Sequence, residues 1–247
     1  MPAAPQPAVI ITGAAGGIGQ ALVAAFEAAR WKVVSSDRTA LARPHHVVGD
    51  LAACADPDHP EAIRIVAALC AASGGQLKAL VHNAAHQAVK PSAALTAADW
   101  QQTLAVNLLA PFWLSMAFCD ELERNAGSVL AVSSIHERLT KPGFVAYATS
   151  KAALSGMVRA LAVDLGGRVR VNALCPAAIA TPMLLAGFEG RDAAYRQLES
   201  HHPSARIGTP QEVAATALFV CSDAASFING ACLDISGGIG ARLHDPL

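Results

Sequence analysis

Charge and aromatic side chains are scarce in this chain. Of its 247 residues 15% are charged and 5% aromatic, and the formal net charge is −1. A surface so near neutral offers no electrostatic footprint for nucleic acid or for an anionic membrane. No apolar run approaches the length of a membrane span. Met1 to Ala8 holds no basic residue and is broken by Pro2, Pro5 and Pro7, which argues against a signal or transit peptide and makes a cytoplasmic location the expectation. The six cysteines, Cys54, Cys70, Cys119, Cys175, Cys221 and Cys232, contain no C-x-x-C and sit among apolar or small residues, as buried thiols in a reducing compartment would. His45-His46 and His201-His202 have no cysteine or carboxylate at metal-ligand spacing, so they read as surface or loop residues and no metal is expected. What remains is a hydrophobic fraction of 53%, enough to fill the core of one domain of this length.

Only two tyrosines and five lysines are present, yet Tyr147 and Lys151 stand four residues apart where a helix is expected. One helical turn puts phenol and ammonium on the same face. A fixed cation there stabilises the phenolate and lowers a phenol pKa of about 10 toward neutrality.

The chain alternates between strand-like and helix-like segments. Val9 to Thr12 is a β-branched run, Gly13 to Gly19 is a glycine-rich turn, and Ile18, Leu22 and Phe26 then share a helical face out to Arg30. Bare backbone N–H groups at a helix N-terminus can hold a phosphate, so this strand, turn and helix predict a dinucleotide site. The next strand, Lys32 to Ser36, ends in Asp37, 18 positions past Gly19 and near the ~20 expected of an acid that bonds the adenosine ribose. A carboxylate there repels a 2′-phosphate by about 4 kcal/mol per charge pair at 4 Å and an effective dielectric of 20. Arg38 could instead pair with that phosphate. NAD is the expected cofactor, with NADP the alternative.

His46 to Val48 forms a third strand closed by Asp50-Leu51, where Asp50 either meets the adenine amino group or caps a helix. A helix over Glu61 to Ala72, with Ile63, Val66, Ala67 and Cys70 on its apolar face, stops at Gly74-Gly75. The strand Leu77 to His82 then delivers Asn83 and the loop His86 to Ala94 to the carboxyl edge of the sheet, where open parallel sheets bind ligands. Thr96, with Asp99 as a capping-box partner, opens one long helix to Leu122. Asn107 inside it must be satisfied, either as a structural bridge or as part of a proton path. The strand Val129 to Val132 brings Ser133-Ser134 to the same edge. A polar loop with His136, Glu137, Arg138 and Lys141 leads to the helix Phe144 to Leu165, followed by the strand Val169 to Leu174. Residues 181 to 206 lose their period and read as a lid with short helices; a helix over Gln211 to Cys221 and a strand over Ala231 to Ile235 finish the chain. The whole predicts a single doubly wound α/β domain over 1–247 with a seven-stranded parallel sheet.

Thr12-Gly13-x-x-x-Gly17-x-Gly19, Asn83-Ala84, Asn107, Ser134 and Tyr147-x-x-x-Lys151, in this order and spacing, resemble the short-chain dehydrogenase/reductase family. The resemblance runs through Asn172-Ala173, Pro176, Thr181-Pro182, His202-Pro203, Arg206-Ile207-Gly208 and Ser236-Gly237-Gly238. It implies a Rossmann fold and a homotetramer joined mostly through the helices around 100–124 and 144–165. It also implies Tyr147 as general acid or base, Ser134 as holder of the substrate oxygen, and Lys151 as the cation that tunes Tyr147 and binds the nicotinamide ribose. Asn107 would hold a water linking Lys151 to solvent. Cofactor contacts are implied at Gly13, Gly17, Ile18, Gly19, Asp37, Asp50, Leu51, Asn83, Tyr147, Lys151, Pro176, Ile179 and Thr181. Two glycines of the family pattern are replaced here, by Ala85 and Ala177, and each adds a methyl near the cofactor. His82 replaces an Asn and is expected beside the adenosine half.

Ser133 to Glu137 is similar to the corresponding stretch of bacterial glucose 1-dehydrogenases and other sugar dehydrogenases. Ser134, His136, Glu137 and Tyr147, with His86 and Gln87, would suit a hydroxylated substrate; alternatively His136 and Glu137 only tie down their loop. Met183, Leu184, Leu185 and Phe188 in the lid would equally suit an apolar ketone. The expected activity is oxidation of a secondary alcohol of a sugar, sugar acid or polyol. Reduction of an apolar or 3-oxoacyl ketone is the alternative, and a dinucleotide-binding sensor is a third possibility.

Overall fold

A computed structural model describes residues 6–243, so the reading of Met1 to Ala8 falls mostly outside the described residues. Seven strands form one parallel sheet: β1 (Ala8–Thr12), β2 (Lys32–Asp37), β3 (His46–Val48), β4 (Leu77–His82), β5 (Ser128–Val132), β6 (Arg170–Pro176) and β7 (Cys232–Ile235). Their order is β3-β2-β1-β4-β5-β6-β7. Every residue of β1 and β5 is buried, as expected of strands covered on both faces. Alternation along β1 sends Ile10 to one core layer and Val9 and Ile11 to the other.

On the Val9 side, α1 (Gly17–Ala28) and α9 (Pro210–Cys221) bury Leu22, Phe26, Val213 and Ala217. On the Ile10 side, α2 (Pro60–Ser73), α4 (Ala110–Ala117) and α6 (Val145–Leu165) bury Ile65, Leu114, Leu154 and Val158. The strand order reverses between β1 and β4, which opens a crevice at their carboxyl ends. Two shorter helices, α7 (Pro182–Ala186) and α8 (Asp192–His201), occupy the expected lid segment.

The structure corrects three local expectations. The single long helix is broken: α3 (Ala97–Leu104) passes into a π turn over Ala105–Leu109 before α4, and α5 (Cys119–Arg124) follows a break at Phe118. In the π turn the Ala110 N–H bonds to Ala105 O, five residues back. The buried face of α2 is Ala62, Ile65, Leu69 and Ser73, about one residue round from the expected stripe, which leaves Ile63 57% exposed. Alanines on both sides of this helix make its apolar period ambiguous. Cys70 is accordingly exposed rather than buried, while all six cysteines are free. Among the described residues no helix is long and apolar enough to cross a membrane.

Candidate active site

The glycine turn is built by exclusion. Gly13 has φ +66°, and a Cβ there would stand 2.7 Å from Ala84 Cα. A Cβ at Gly19 would stand 2.1 Å from Gly13 O, and one at Gly17 would press on Pro182 Cδ at 2.8 Å. Asn83 Nδ2 donates to Thr12 O (3.1 Å) and Gly13 O (2.9 Å), and Thr12 Oγ1 accepts from the N–H groups of Asn83 (3.0 Å) and Ala84 (3.2 Å). The turn is thereby pinned to the end of β4. No side chain caps α1, so its first N–H groups stay open to an anion, and the cradle fits a dinucleotide phosphate.

Asp37 at the end of β2 accepts from Ala15 N (3.0 Å) and Thr39 N (2.9 Å), which holds its carboxylate beside the glycine turn; Arg38 is exposed. Asp50 acts as a cap, accepting from Ala52 N at 2.9 Å, and Leu51 is buried in the core, so only its backbone can face a ligand. His82 does not face the adenosine region. It is 3% exposed, its Nε2 pairs with Ser115 Oγ at 2.9 Å, and burial pushes its pKa down to about 3, so the ring is neutral at pH 7.

At the far end of the crevice β5 delivers Ser134, and the first turns of α6 deliver Tyr147 and Lys151. Tyr147 and Ser134 both line the cleft wall. Burial raises the phenol pKa above its ordinary value, and the Ser134 hydroxyl works against that rise. Lys151 is 2% exposed, donates to Val132 O at 2.7 Å, and lies 5.6 Å from the Tyr147 ring centroid. Burial lowers its pKa to about 8. Ser133, the neighbour of Ser134, is instead structural, bonding Ser155 Oγ (2.9 Å) and Lys151 O (3.2 Å).

Asn107 is a bridge. Its Oδ1 accepts from His86 N (2.7 Å), and its Nδ2 donates to His86 O (2.9 Å) and Ser150 Oγ (2.9 Å). Both amide protons are used; one lone pair of Oδ1 and the backbone carbonyl are what remain for a water.

A cleft of about 560 Å³ joins these parts, within the usual size for a ligand pocket. Of the expected cofactor residues, Ile18, Asn83, Tyr147, Lys151, Pro176, Ile179 and Thr181 line it. Thr181 also caps α7, accepting from Leu184 N at 3.3 Å. Ala85 and Ala177, the two replaced glycines, line it as well. His136 lines it, stacked on Phe144 (centroids 4.6 Å, 11° between planes) and bonded through Nδ1 to Thr140 Oγ1 at 3.0 Å. Burial, with Lys141 nearby, lowers its pKa to about 4. Gln87 reaches the cleft, but His86 and Glu137 are not among its lining residues. Glu137 lies on the other side of its short turn, with its carboxylate near Cys175 and Cys232.

One lining residue was misread from sequence. His202, expected as surface or loop, is 3% exposed, and its Nδ1 pairs with Leu198 O at 2.9 Å. Its Nε2 has no partner among the described residues. The only sequence sign was its place before Pro203 at the end of the lid.

A family model described as enoyl-(acyl carrier protein) reductase matches residues 13–240. Galactitol 2-dehydrogenase (L-tagatose-forming) from Cereibacter sphaeroides is 36% identical, over 92% of this chain and 92% of its own. The 7α-hydroxysteroid dehydrogenase of Escherichia coli is 35% identical, over 93% of this chain and 92% of its own. The ligand-free structure of Thermoplasma acidophilum aldohexose dehydrogenase superposes with a TM-score of 0.89 at 29% identity, covering 98% of this chain and 97% of that one. Solved structures of this fold at 30% and 25% identity hold NADP and NADH respectively. With its glycine turn, its Ser134, Tyr147 and Lys151 cluster and these relatives along nearly its whole length, the chain belongs to the short-chain dehydrogenase/reductase family of oxidoreductases.

Proposed function

We propose that this protein is an NAD-dependent dehydrogenase that oxidises a secondary alcohol of a sugar, sugar acid or polyol, with Tyr147 as general base and, in reverse, general acid. The observation that carries the reading is that Ser134, Tyr147 and Lys151 line one cleft with Ile18 of the glycine turn, with the Lys151 ammonium 5.6 Å from the Tyr147 ring centroid. When bound, the nicotinamide supplies the hydride acceptor, and every other part of the reaction falls to side chains. Ser134 Oγ holds the substrate oxygen. Tyr147 takes the hydroxyl proton as the carbon loses hydride.

Burial alone keeps the phenol protonated near neutral pH, with little phenolate to act as base. The Lys151 ammonium on the same helical face would favour the phenolate and work against that rise. Lys151 can serve because its own pKa of about 8 keeps it mostly charged at pH 7. Loss of that charge above pH 8 would leave Tyr147 without its partner. Gly13, Gly17, Gly19 and the open end of α1 would hold the phosphates, and Asp37 the adenosine ribose, favouring NAD over NADP.

His136, Thr140 and Gln87 give the substrate end of the cleft hydrogen-bonding groups, which supports a hydroxylated substrate. A second reading has its own support: Leu139, Phe144, Met183, Leu184 and Phe188 line the same cleft, and an apolar or 3-oxoacyl ketone would fit against them. Both share one chemical step, and Tyr147→Phe tests it. Turnover should fall by about 10²- to 10⁴-fold while nucleotide binding is retained; unchanged turnover would remove Tyr147 from the role of proton carrier.

A further inference from the structure

Behind the cleft, on the side of the 135–137 turn away from His136, three ligand-type side chains from three separate segments converge. The Glu137 carboxylate, Cys175 Sγ on β6 and Cys232 Sγ on β7 lie within 4.8 Å of one another. Register explains the two thiols: Ala173 pairs with Cys232 and Cys175 with Asp234, so both cysteines stand on the sheet face that packs under α6.

The Glu137 side chain is only 6% exposed, and its nearest cation is Arg138 Nε at 3.4 Å. Arg138 gives its Nη2 to both carboxylate oxygens of Asp234 instead. Cys175 is fully buried. Cys232 is half-buried, with Arg159 Nη1 at 3.4 Å and Ser155 O at 4.0 Å from its Sγ. A nearly buried carboxylate thus faces two thiols while the neighbouring guanidinium is given to Asp234.

We propose that Glu137, Cys175 and Cys232 bind one thiophilic divalent cation of the zinc type. Two thiolates and a carboxylate are a donor set that such ions take, with Zn–S near 2.3 Å and Zn–O near 2.0–2.2 Å. Tetrahedral ligands at those bond lengths sit roughly 3.5–3.8 Å apart, so the observed cluster needs an inward shift of about 1 Å or less. The half-exposed side of Cys232 leaves a fourth position for water. Charge balance agrees: three anionic donors around a divalent ion leave one net negative charge, facing Arg159 and Arg138. Glu137 follows Ser134 by three residues, and the ion would clamp the Ser134 loop to β6 and β7 from behind, making this a positioning site.

The test uses the full chain, kept reduced with a non-thiol reductant and titrated with Co²⁺ as a spectroscopic stand-in for Zn²⁺. The expected result is a thiolate-to-cobalt charge-transfer band that saturates at one ion per chain and is displaced by Zn²⁺. Cys232→Ser, at a half-exposed position that tolerates the change, should abolish the band. Glu137→Gln should weaken binding at least tenfold, and Cys70→Ser, on the exposed side of α2, should leave it unchanged. A cobalt spectrum with no sulfur band, or a band that survives Cys232→Ser, would overturn the proposal. The readout is metal binding, so it stands or falls independently of the redox assay.

Discussion

His82 fills a position where the family pattern has Asn, and the structure gives it a role different from the cofactor neighbour it was expected to be. Buried against Ser115, it must stay neutral, with a folded pKa of about 3 against an ordinary value near 6.5. The unfolded chain therefore binds a proton that the folded chain refuses. Its contribution to stability is intact above about pH 6.5 and is lost as pH falls from there toward 3. At pH 5 the loss is roughly 2 kcal/mol. Urea unfolding of the wild type and of His82→Asn at pH 7.5 and pH 5 should show the two converge by about that amount; a pH-independent difference would mean that the ring is charged or solvated in the fold. Sequence alone could not reveal this, because the partner Ser115 comes from α4, 33 positions along the chain. The same limit hid the cluster of Glu137, Cys175 and Cys232, whose members are 38 and 57 positions apart. Tyr147 and Lys151 were legible because one helical turn brings them together without any tertiary knowledge.

Helix starts and strands were readable in the sequence because their signals are local. Thr96 with Asp99, and Gly74 in the left-handed conformation after α2, act where they were read, and Thr209 with Glu212 closes the same kind of cap at the start of α9. The π turn was not readable: it changes the helical period by one residue over a single turn, and the surrounding apolar residues fit either period. Its effect is large, because it carries the Asn107 that clasps both backbone groups of His86 and the hydroxyl of Ser150. Asn107→Ala should cost about 2–3 kcal/mol of stability, since it leaves the N–H and carbonyl of His86 unmatched. It should also lower turnover, because Ser150 directly precedes Lys151. Denaturant unfolding checks the first effect and initial rates the second; a variant as stable as the wild type would mean that water replaces the amide.

At the scale of the molecule, apolar side chains remain outside the core on the faces that the resemblance assigns to subunit contact. Val163 on α6 is 80% exposed, and Leu109 and Trp113 near the π turn are 41% and 37% exposed. Singly such residues are ordinary, but here they lie on the two helical segments that the family resemblance implies for subunit contact. A homotetramer is the expected state. Val163→Glu should shift the mass measured by light scattering toward a smaller species without unfolding the protomer, because Val163 contributes little to its own core. A monomeric wild type would contradict this part of the account. The sheet order and the layering of its helices followed from the alternating pattern of segments, whereas the subunit surface rests on the family's habit.

The central claim is that the cleft oxidises a hydroxylated secondary alcohol with NAD, and the direct test is the initial rate of reduced-nicotinamide formation. NAD and NADP are offered in parallel against aldoses, sugar acids, polyols and apolar secondary alcohols. Turnover of a polyhydroxylated substrate, faster with NAD than with NADP, is the expected result. Turnover confined to apolar alcohols, or a preference for NADP, would contradict it.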